Sequence, residues 1–167
     1  MILYIVSTLP HIYYAFIWNY PSQFINFTNK LKKKSNIFNY NDFSLYFMYY
    51  TSISLKQLQL FLILYNSYQN NTLSNYFINF SYIKFLLILF GQTLNMGVYN
   101  KLGIKGVYYG NKLGYNTKWV VDFPYNICNN PQYVGSCLSY IGLYGICDIY
   151  YILYINFLYI ASSYIER

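Results

Sequence analysis

Long stretches without any charged side chain are the feature of this sequence that most limits how it can fold. Residues Met1–Asn29 and Gln57–Ile83 contain no Lys, Arg, Asp or Glu, and the same holds for Phe85–Asn100, Phe123–Cys147 and Ile149–Ile165. A helix that crosses the hydrocarbon core of a bilayer needs roughly 20 predominantly apolar residues. Several of these stretches meet or approach that length. The sequence therefore predicts an all-α, polytopic integral membrane protein with about four spans.

The few charges are concentrated in particular segments. Hydrophobic residues make up 56% of the chain and charged residues only 9%, against about 25% charged in an average soluble domain. Most basic residues fall in two clusters: Lys30, Lys32, Lys33 and Lys34, and then Lys101, Lys105, Lys112 and Lys118. Beside membrane spans, such clusters indicate loops that face the cytosol or attraction to anionic lipid headgroups. A chain this hydrophobic is not expected to bind nucleic acid.

Three spans are predicted in the first part of the chain. They cover Ile2–Tyr20, Leu45–Tyr68 and Tyr76–Val98, separated by a polar loop to Asp42 and a turn at Gln69–Asn75. Lys56 and Lys84 fall inside the second and third spans. A charge within a span is costly and faces protein or water, or reaches the interface along its aliphatic stem. We interpret both lysines as structural.

The last hydrophobic region, Tyr133–Tyr164, is too long for one upright span. As a single helix it would measure ~48 Å, against a hydrocarbon core of ~30 Å. Two glycines and the only carboxylate of the region lie near its middle, so a helical hairpin that breaks near Gly145–Asp148 is predicted. The hairpin would return Glu166 to the same side as Asn130, whereas a single span would separate them.

A polar segment precedes this hairpin. Residues Phe123–Ser136 read F-P-Y-N-I-C-N-N-P-Q-Y-V-G-S, and irregular backbone among membrane spans survives only where protein buries it or where it lines a cavity. The segment is therefore a candidate site. Asn130 and Pro131 also suit the N-cap and first residue of a helix, which is a structural alternative for that pair.

Other residue patterns are less specific. Gly103, Gly106, Gly110 and Gly114 recur at helical spacing, which favours either close helix packing or room for a ligand. Three cysteines (Cys128, Cys137 and Cys147) and one histidine, His11, lack the spacing of zinc ligands. No metal site is predicted.

Several short motifs occur in order along the chain. They are Phe90–Gln92, Leu102–Gly110, Trp119, Phe123–Asn126, Asn130–Ser136 and Tyr164–Glu166, with a weaker match at Leu9–Trp18. At these positions the sequence resembles the phospholipid methyltransferase family, integral membrane enzymes that methylate phosphatidylethanolamine derivatives. It is most similar to the short, plant-type phosphatidyl-N-methylethanolamine N-methyltransferases. The resemblance is strongest over residues 90–136, and it implies one membrane-embedded methyltransferase domain over residues 1–167.

The resemblance also implies a binding site for S-adenosylmethionine. The family assigns this cofactor to a G-x-G at the third span and to an acidic pair after the last span. The first maps to Leu89-Phe90-Gly91, where only the second glycine is kept, and the second to Ile165-Glu166, where one acid is kept. The plant-type subgroup resembles this sequence in both departures. The expected cofactor-binding residues are Leu89, Phe90, Gly91, Asn130, Tyr133, Ile165 and Glu166.

The implied reaction is transfer of a sulfonium methyl group to a lipid amine. The expected substrates are phosphatidyl-N-methylethanolamine and phosphatidyl-N,N-dimethylethanolamine, in phosphatidylcholine synthesis at the endoplasmic reticulum membrane. The sequence singles out no general base. His11 is a candidate headgroup contact or a structural interfacial histidine. Two alternatives stay open, a prenylcysteine carboxyl methyltransferase and a non-catalytic membrane scaffold derived from a methyltransferase.

Overall fold

The computed structural model describes residues 1–34, 42–117 and 119–166. Within these ranges the chain forms helices and no strand, which confirms the all-α prediction. Lys118, a member of the second lysine cluster, lies outside the described residues. The helices are α1 (Ile2–Asn19), α2 (Pro21–Lys34), α3 (Phe43–Gln69), α4 (Thr72–Ile78), α5 (Tyr82–Val107), α6 (Pro131–Gly142) and α7 (Ile149–Ile165).

The predicted break in the last hydrophobic region is confirmed. Helix α6 ends at Gly142, α7 begins at Ile149, and the two helices pack against each other. Between them Gly145 has a φ of +107°, which residues with a side chain rarely adopt. Asp148 caps α7, since its carboxylate accepts a hydrogen bond of 2.8 Å from the backbone N–H of Tyr151. A turn at glycine and a helix cap thus define the hairpin.

Helices α5 and α6 meet almost backbone to backbone. A Cβ added to Gly91 would lie 2.4 Å from the carbonyl oxygen of Gly135, and a Cβ added to Gly135 would lie 2.5 Å from that of Gly91. Nearby, the side-chain amide of Gln92 donates a hydrogen bond of 2.9 Å to Ser139. Small residues at a helix crossing permit this approach, which fixes α6 relative to α5.

Helix α1 is joined to α3 and α7 by hydrogen bonds between side chains. The Ser7 hydroxyl lies 2.8 Å from that of Tyr151, and His11 Nδ1 lies 2.8 Å from the Ser162 hydroxyl. Both Ser7 and His11 are buried. The structure therefore places His11 in a contact between α1 and α7 through Nδ1, whereas its Nε2 is buried without a partner among the described residues.

The prediction of a polar loop after the first span is wrong over Pro21–Lys34, which forms α2. This helix is amphipathic: Phe24 and Thr28 are buried, and the Thr28 hydroxyl lies 2.6 Å from that of Ser44 at the start of α3. Basic side chains in the last turn also interact favourably with the helix dipole. The polar composition of this segment suggested a loop, but the segment is helical and buries one face against α3.

The predicted third span is wrong at its start. Tyr76 lies on the short helix α4, and α5 begins only at Tyr82. The four glycines at helical spacing do not form one face of a helix, because Gly103 has a φ of +61° inside α5 and Gly110 and Gly114 follow the end of that helix. Glycine has no Cβ, so the backbone can adopt non-helical angles at such positions.

None of the described helices is by itself both long and apolar enough to cross a bilayer. Helices α4 and α5 meet the requirements of length and composition only when taken together, and they are bent by 107° at the break between them.

Candidate functional site

A cavity of about 1180 Å³ lies between two groups of helices. Helix α3 packs mainly on α1, α2 and α4, whereas α5 packs on α6. Leu45 and Met48 of α3 meet Val98 and Val107 of α5 in one buried cluster, and beyond that cluster the space between α3 and α5 is not filled. Side chains from both groups line it, including Trp18 of α1, Lys56 of α3, Asn95 of α5 and Tyr133 of α6. Glu166, just after α7, completes the lining.

The α6–α7 hairpin brings an acid and a phenol together in this cavity. Tyr133, in the first turn of α6, donates a hydrogen bond to Oε2 of Glu166. The other carboxylate oxygen, Oε1, is buried and has no hydrogen-bond partner among the described residues. A buried charged oxygen without a partner is unfavourable. The cavity therefore contains an acceptor that is suited to a cationic or N–H-bearing ligand.

Burial raises the pKa of the Glu166 carboxyl, and the hydroxyl groups of Tyr109 and Tyr133 act in the opposite direction. Burial, and then the neighbouring Tyr133 and Glu166, also raise the pKa of the Tyr109 phenol, which keeps it protonated. A phenol that donates a hydrogen bond to a carboxylate, as Tyr133 does through Oε2, favours the charged form of the carboxylate. A bound cation would lower the raised pKa of Glu166, so ionisation and cation binding would support each other.

Aromatic rings extend this site towards α1 and α3. The rings of Tyr133 and Tyr159 have centroids 6.2 Å apart, and Lys56 Nζ lies 4.8 Å from the Tyr159 centroid. On the other side, Trp18 and Tyr109 make an edge contact with centroids 5.3 Å apart. Faces of aromatic rings attract cations, so these rings suit a ligand that carries positive charge.

The structure brings three of the predicted site residues together. Asn130, Tyr133 and Glu166 all line the cavity. Asn130 is the N-cap and Pro131 the first residue of α6, which confirms the structural alternative for that pair, although the Asn130 side chain makes no capping hydrogen bond. The remaining predicted residues do not line the cavity: Leu89, Phe90, Gly91 and Ile165.

Those four residues have different environments. Gly91 lies in the contact between α5 and α6, whereas Leu89, Phe90 and Ile165 are about half exposed. Their role in cofactor binding stays a prediction. The packing of Gly91 against Gly135 nevertheless positions the start of α6, and with it Asn130 and Tyr133.

Sequence reasoning missed the wall of the cavity opposite the hairpin, which includes Lys56, and two further lining residues, Tyr159 of α7 and Asn95 of α5. Lys56 was interpreted as structural, and Tyr159 and Asn95 were not singled out. Lys56 donates a hydrogen bond of 2.7 Å to the Tyr159 hydroxyl, and Asn95 Oδ1 is buried without a partner among the described residues. A charge within a predicted span was the one sequence signal that pointed to this wall.

The match to a known family concerns the second half of the chain. Residues 80–167 match the family described as phospholipid methyltransferase. A phosphatidyl-N-methylethanolamine N-methyltransferase of Arabidopsis thaliana is 40% identical over 80 residues, which are 48% of this chain and 49% of that protein. No solved structure matches.

Two further relatives match shorter segments. A phosphatidyl-N-methylethanolamine N-methyltransferase of Saccharomyces cerevisiae is 44% identical over 54 residues, 32% of this chain and 26% of that protein. A phosphatidylethanolamine N-methyltransferase A of Dictyostelium discoideum is 42% identical over 61 residues, 36% of this chain and 29% of that protein. The matched segments thus span about half the length of the first relative and less of the other two.

Proposed function

The chain belongs to the phospholipid methyltransferase family, as its motifs indicated, and we propose that it methylates the amine of a phospholipid headgroup. The proposed acceptors are phosphatidyl-N-methylethanolamine and phosphatidyl-N,N-dimethylethanolamine, in the synthesis of phosphatidylcholine. Two relatives are named for methylation of the first lipid. The observation that carries the proposal is the Glu166 carboxylate, held by Tyr133 in a large aromatic cavity with one oxygen unpartnered.

The methyl donor that we propose is S-adenosylmethionine, which supplies a sulfonium methyl group when bound. The unpartnered Oε1 of Glu166 fits a donor of this kind, because the cofactor carries positive charge and N–H donors. Asn130 and Tyr133 line the same part of the cavity. Leu89, Phe90, Gly91 and Ile165 remain proposed members of this site on the family pattern alone.

The protein's own contribution would be orientation and exclusion of water. No covalent intermediate with the chain is needed, so holding donor and acceptor in line accounts for much of the expected acceleration. The acceptor amine must be neutral, since an ammonium ion has no lone pair for attack. An aromatic environment with little water lowers the pKa of an amine. Tyr133 and Tyr109 contribute aromatic surfaces to the cavity.

We further propose that the protein is a multi-pass protein of the endoplasmic reticulum membrane, with the α6–α7 hairpin embedded in lipid. Large apolar side chains are exposed at helical spacing along α7: Tyr150, Leu153, Phe157, Ile160 and Tyr164. A continuous exposed apolar face of this kind favours contact with a membrane or a partner. A protein embedded in the membrane would then meet its lipid substrate in the same membrane.

A methyl-transfer assay tests the proposal. Membranes from cells that express the chain would receive S-adenosylmethionine with a labelled methyl group and phosphatidyl-N-methylethanolamine. Labelled dimethylated and trimethylated lipids are expected, and membranes without the chain give the background. If chain that is shown to be folded yields no labelled lipid, the proposed activity is wrong. A prenylated peptide offered in parallel would reveal the carboxyl methyltransferase alternative.

Location is tested separately. Fractionation of the same cells is expected to place the chain with markers of the endoplasmic reticulum membrane, resistant to extraction by alkaline carbonate. Release into the soluble fraction by that treatment would contradict an embedded hairpin.

A further inference from the structure

Lys56 is the one basic residue among the described residues that line the cavity. It lies near the middle of α3 and is half-buried. Its ammonium donates a hydrogen bond of 2.7 Å to the Tyr159 hydroxyl and lies 4.8 Å from the centroid of the same ring. The ammonium of Lys56 therefore lies at the surface of the cavity, far from either end of α3.

No carboxylate pairs with this ammonium in the described part of the chain. The ion pairs found there join Lys101 to Asp122 and Lys105 to Asp42. An ammonium has three N–H donors, and the phenol of Tyr159 takes one of them. A charge inside a helical bundle is costly unless it is paired. Lys56 therefore has both the charge and the free donors to bind an anion in the cavity.

The anion site and the carboxylate site belong to one continuous surface. Lys56 contacts Tyr159, the Tyr159 ring lies 6.2 Å from that of Tyr133, and Tyr133 donates to Glu166. Positive and negative groups of the protein are thereby placed at two ends of a short row of rings. Ligands that place an anion near Lys56 and cationic groups near Glu166 would match this arrangement.

We propose that Lys56 binds the phosphodiester of the phospholipid acceptor, with Tyr159 as the positioning residue that holds its ammonium. This inference rests on the proposed function, and it assigns the acceptor's anionic group to the wall formed by α3. A lysine binds phosphate oxygens as a point charge. The short linker between phosphate and amine in the headgroup would then direct the amine towards Tyr133 and Glu166. The carboxylate of the methyl donor is a competing anion, and the experiment separates the two.

The chain provides a matched control in Lys84. This residue is also half-buried within a helix, and its Nζ lies 5.4 Å and 5.1 Å from the rings of Tyr76 and Tyr144. Unlike Lys56, Lys84 does not line the cavity. The substitutions Lys56→Met and Lys84→Met therefore remove the same charge from similar surroundings, with and without access to the proposed ligand.

Steady-state kinetics of methyl transfer give the first test. For Lys56→Met we expect the KM for phosphatidyl-N-methylethanolamine to rise roughly tenfold or more, the size of a lost hydrogen bond to a charged group. The KM for S-adenosylmethionine should stay within about twofold, the usual effect of a substitution that leaves a binding site untouched. Lys84→Met should leave both values near wild type, and Lys56→Arg should recover most of the lipid affinity.

Equilibrium lipid binding gives a second test that does not require turnover. Both tryptophans of the chain, Trp18 and Trp119, line the cavity, so brominated phosphatidyl-N-methylethanolamine should quench their fluorescence. Brominated diacylglycerol, which lacks the phosphate, is the comparison lipid. Lys56→Met should weaken quenching by the phospholipid and leave quenching by diacylglycerol unchanged.

The outcomes separate this inference from the proposed function. If wild-type protein transfers methyl groups but Lys56→Met binds the phospholipid as wild type does, the inference is wrong and the function stands. A rise in the KM for S-adenosylmethionine alone would assign Lys56 to the donor's carboxylate and overturn the inference. If wild-type protein transfers no methyl group, the function fails, and the quenching comparison still decides whether Lys56 binds lipid phosphate.

Discussion

The two walls of the cavity come from different parts of the chain and differ in what they offer a ligand. One wall is the start and end of the α6–α7 hairpin, with Tyr133 and Glu166, inside residues 80–167 that match the family. The other is formed by α1 and α3, with Trp18 and Lys56, and precedes the matched segment. The first wall has an unpartnered carboxylate oxygen and the second an unpaired ammonium. Substitutions on the two walls should therefore affect donor and acceptor separately.

The largest effect is expected for Glu166→Gln. The glutamine can still accept a hydrogen bond from Tyr133 but lacks the charge, and hydrogen bonds to charged groups contribute about 1.5–3 kcal/mol. Equilibrium binding of S-adenosylmethionine without lipid should weaken roughly 10- to 100-fold. Asp122→Asn removes an exposed carboxylate and is the control. Equal binding by the Glu166 variant and wild type would mean that the hairpin wall does not bind the donor.

The hairpin wall could be predicted from the sequence because it depends on length and local chemistry. Tyr133–Tyr164 is too long for one span, and Gly145 and Asp148 offer a turn and a cap at its middle. Once the chain reverses there, Glu166 must return towards Tyr133. The unfilled hydrogen-bonding capacity of Glu166 could not be read from the sequence, since it depends on which groups surround it.

The opposite wall could not be predicted, because it results from contacts between distant segments. The sequence of α2 is typical of a polar loop, and its helical structure becomes clear only from the packing of Phe24 and Thr28 against α3. Lys56 faces a cavity only because α3 packs on α1 and α2 and leaves a space before α5. Its charge inside a predicted span was visible, but the direction of the side chain was not.

The next largest effect is expected for Gly91→Ala, which tests why the family glycine is present in this chain. A methyl group there would lie 2.4 Å from the Gly135 carbonyl oxygen, and such overpacking costs about 1–3 kcal/mol. Thermal unfolding in detergent should show a lower Tm than wild type. Leu89→Ala, at an exposed neighbour, should leave Tm nearly unchanged. An unaltered Tm in Gly91→Ala would exclude the packing role and favour direct contact with the donor.

The pH dependence of donor binding should be smaller and confined to the hairpin wall. Burial raises the pKa of Glu166, and only the carboxylate form attracts a cation, so affinity for S-adenosylmethionine should increase as pH rises through this pKa. One proton limits the change to about tenfold per pH unit. The sign for stability is opposite: a raised pKa favours the folded state at low pH, and this contribution is lost as pH rises. Binding by Glu166→Gln should not follow this profile.

The smallest effect is expected at a cation–π contact between the wall formed by α1 and α3 and the segment that follows α5. Lys112, after α5, lies 4.1 Å from the centroid of Trp18 on α1, and Trp18 packs against Tyr109. Both side chains are half-buried, and loss of a cation–π pair costs about 1 kcal/mol, so Lys112→Met should lower the free energy of unfolding by about that amount. Because Trp18 belongs to the wall formed by α1 and α3 and packs against Tyr109, which lies beside Glu166, the KM values for donor and acceptor should rise together by about two- to fivefold. A rise in only one KM would mean that Trp18 contributes to the binding of that ligand alone.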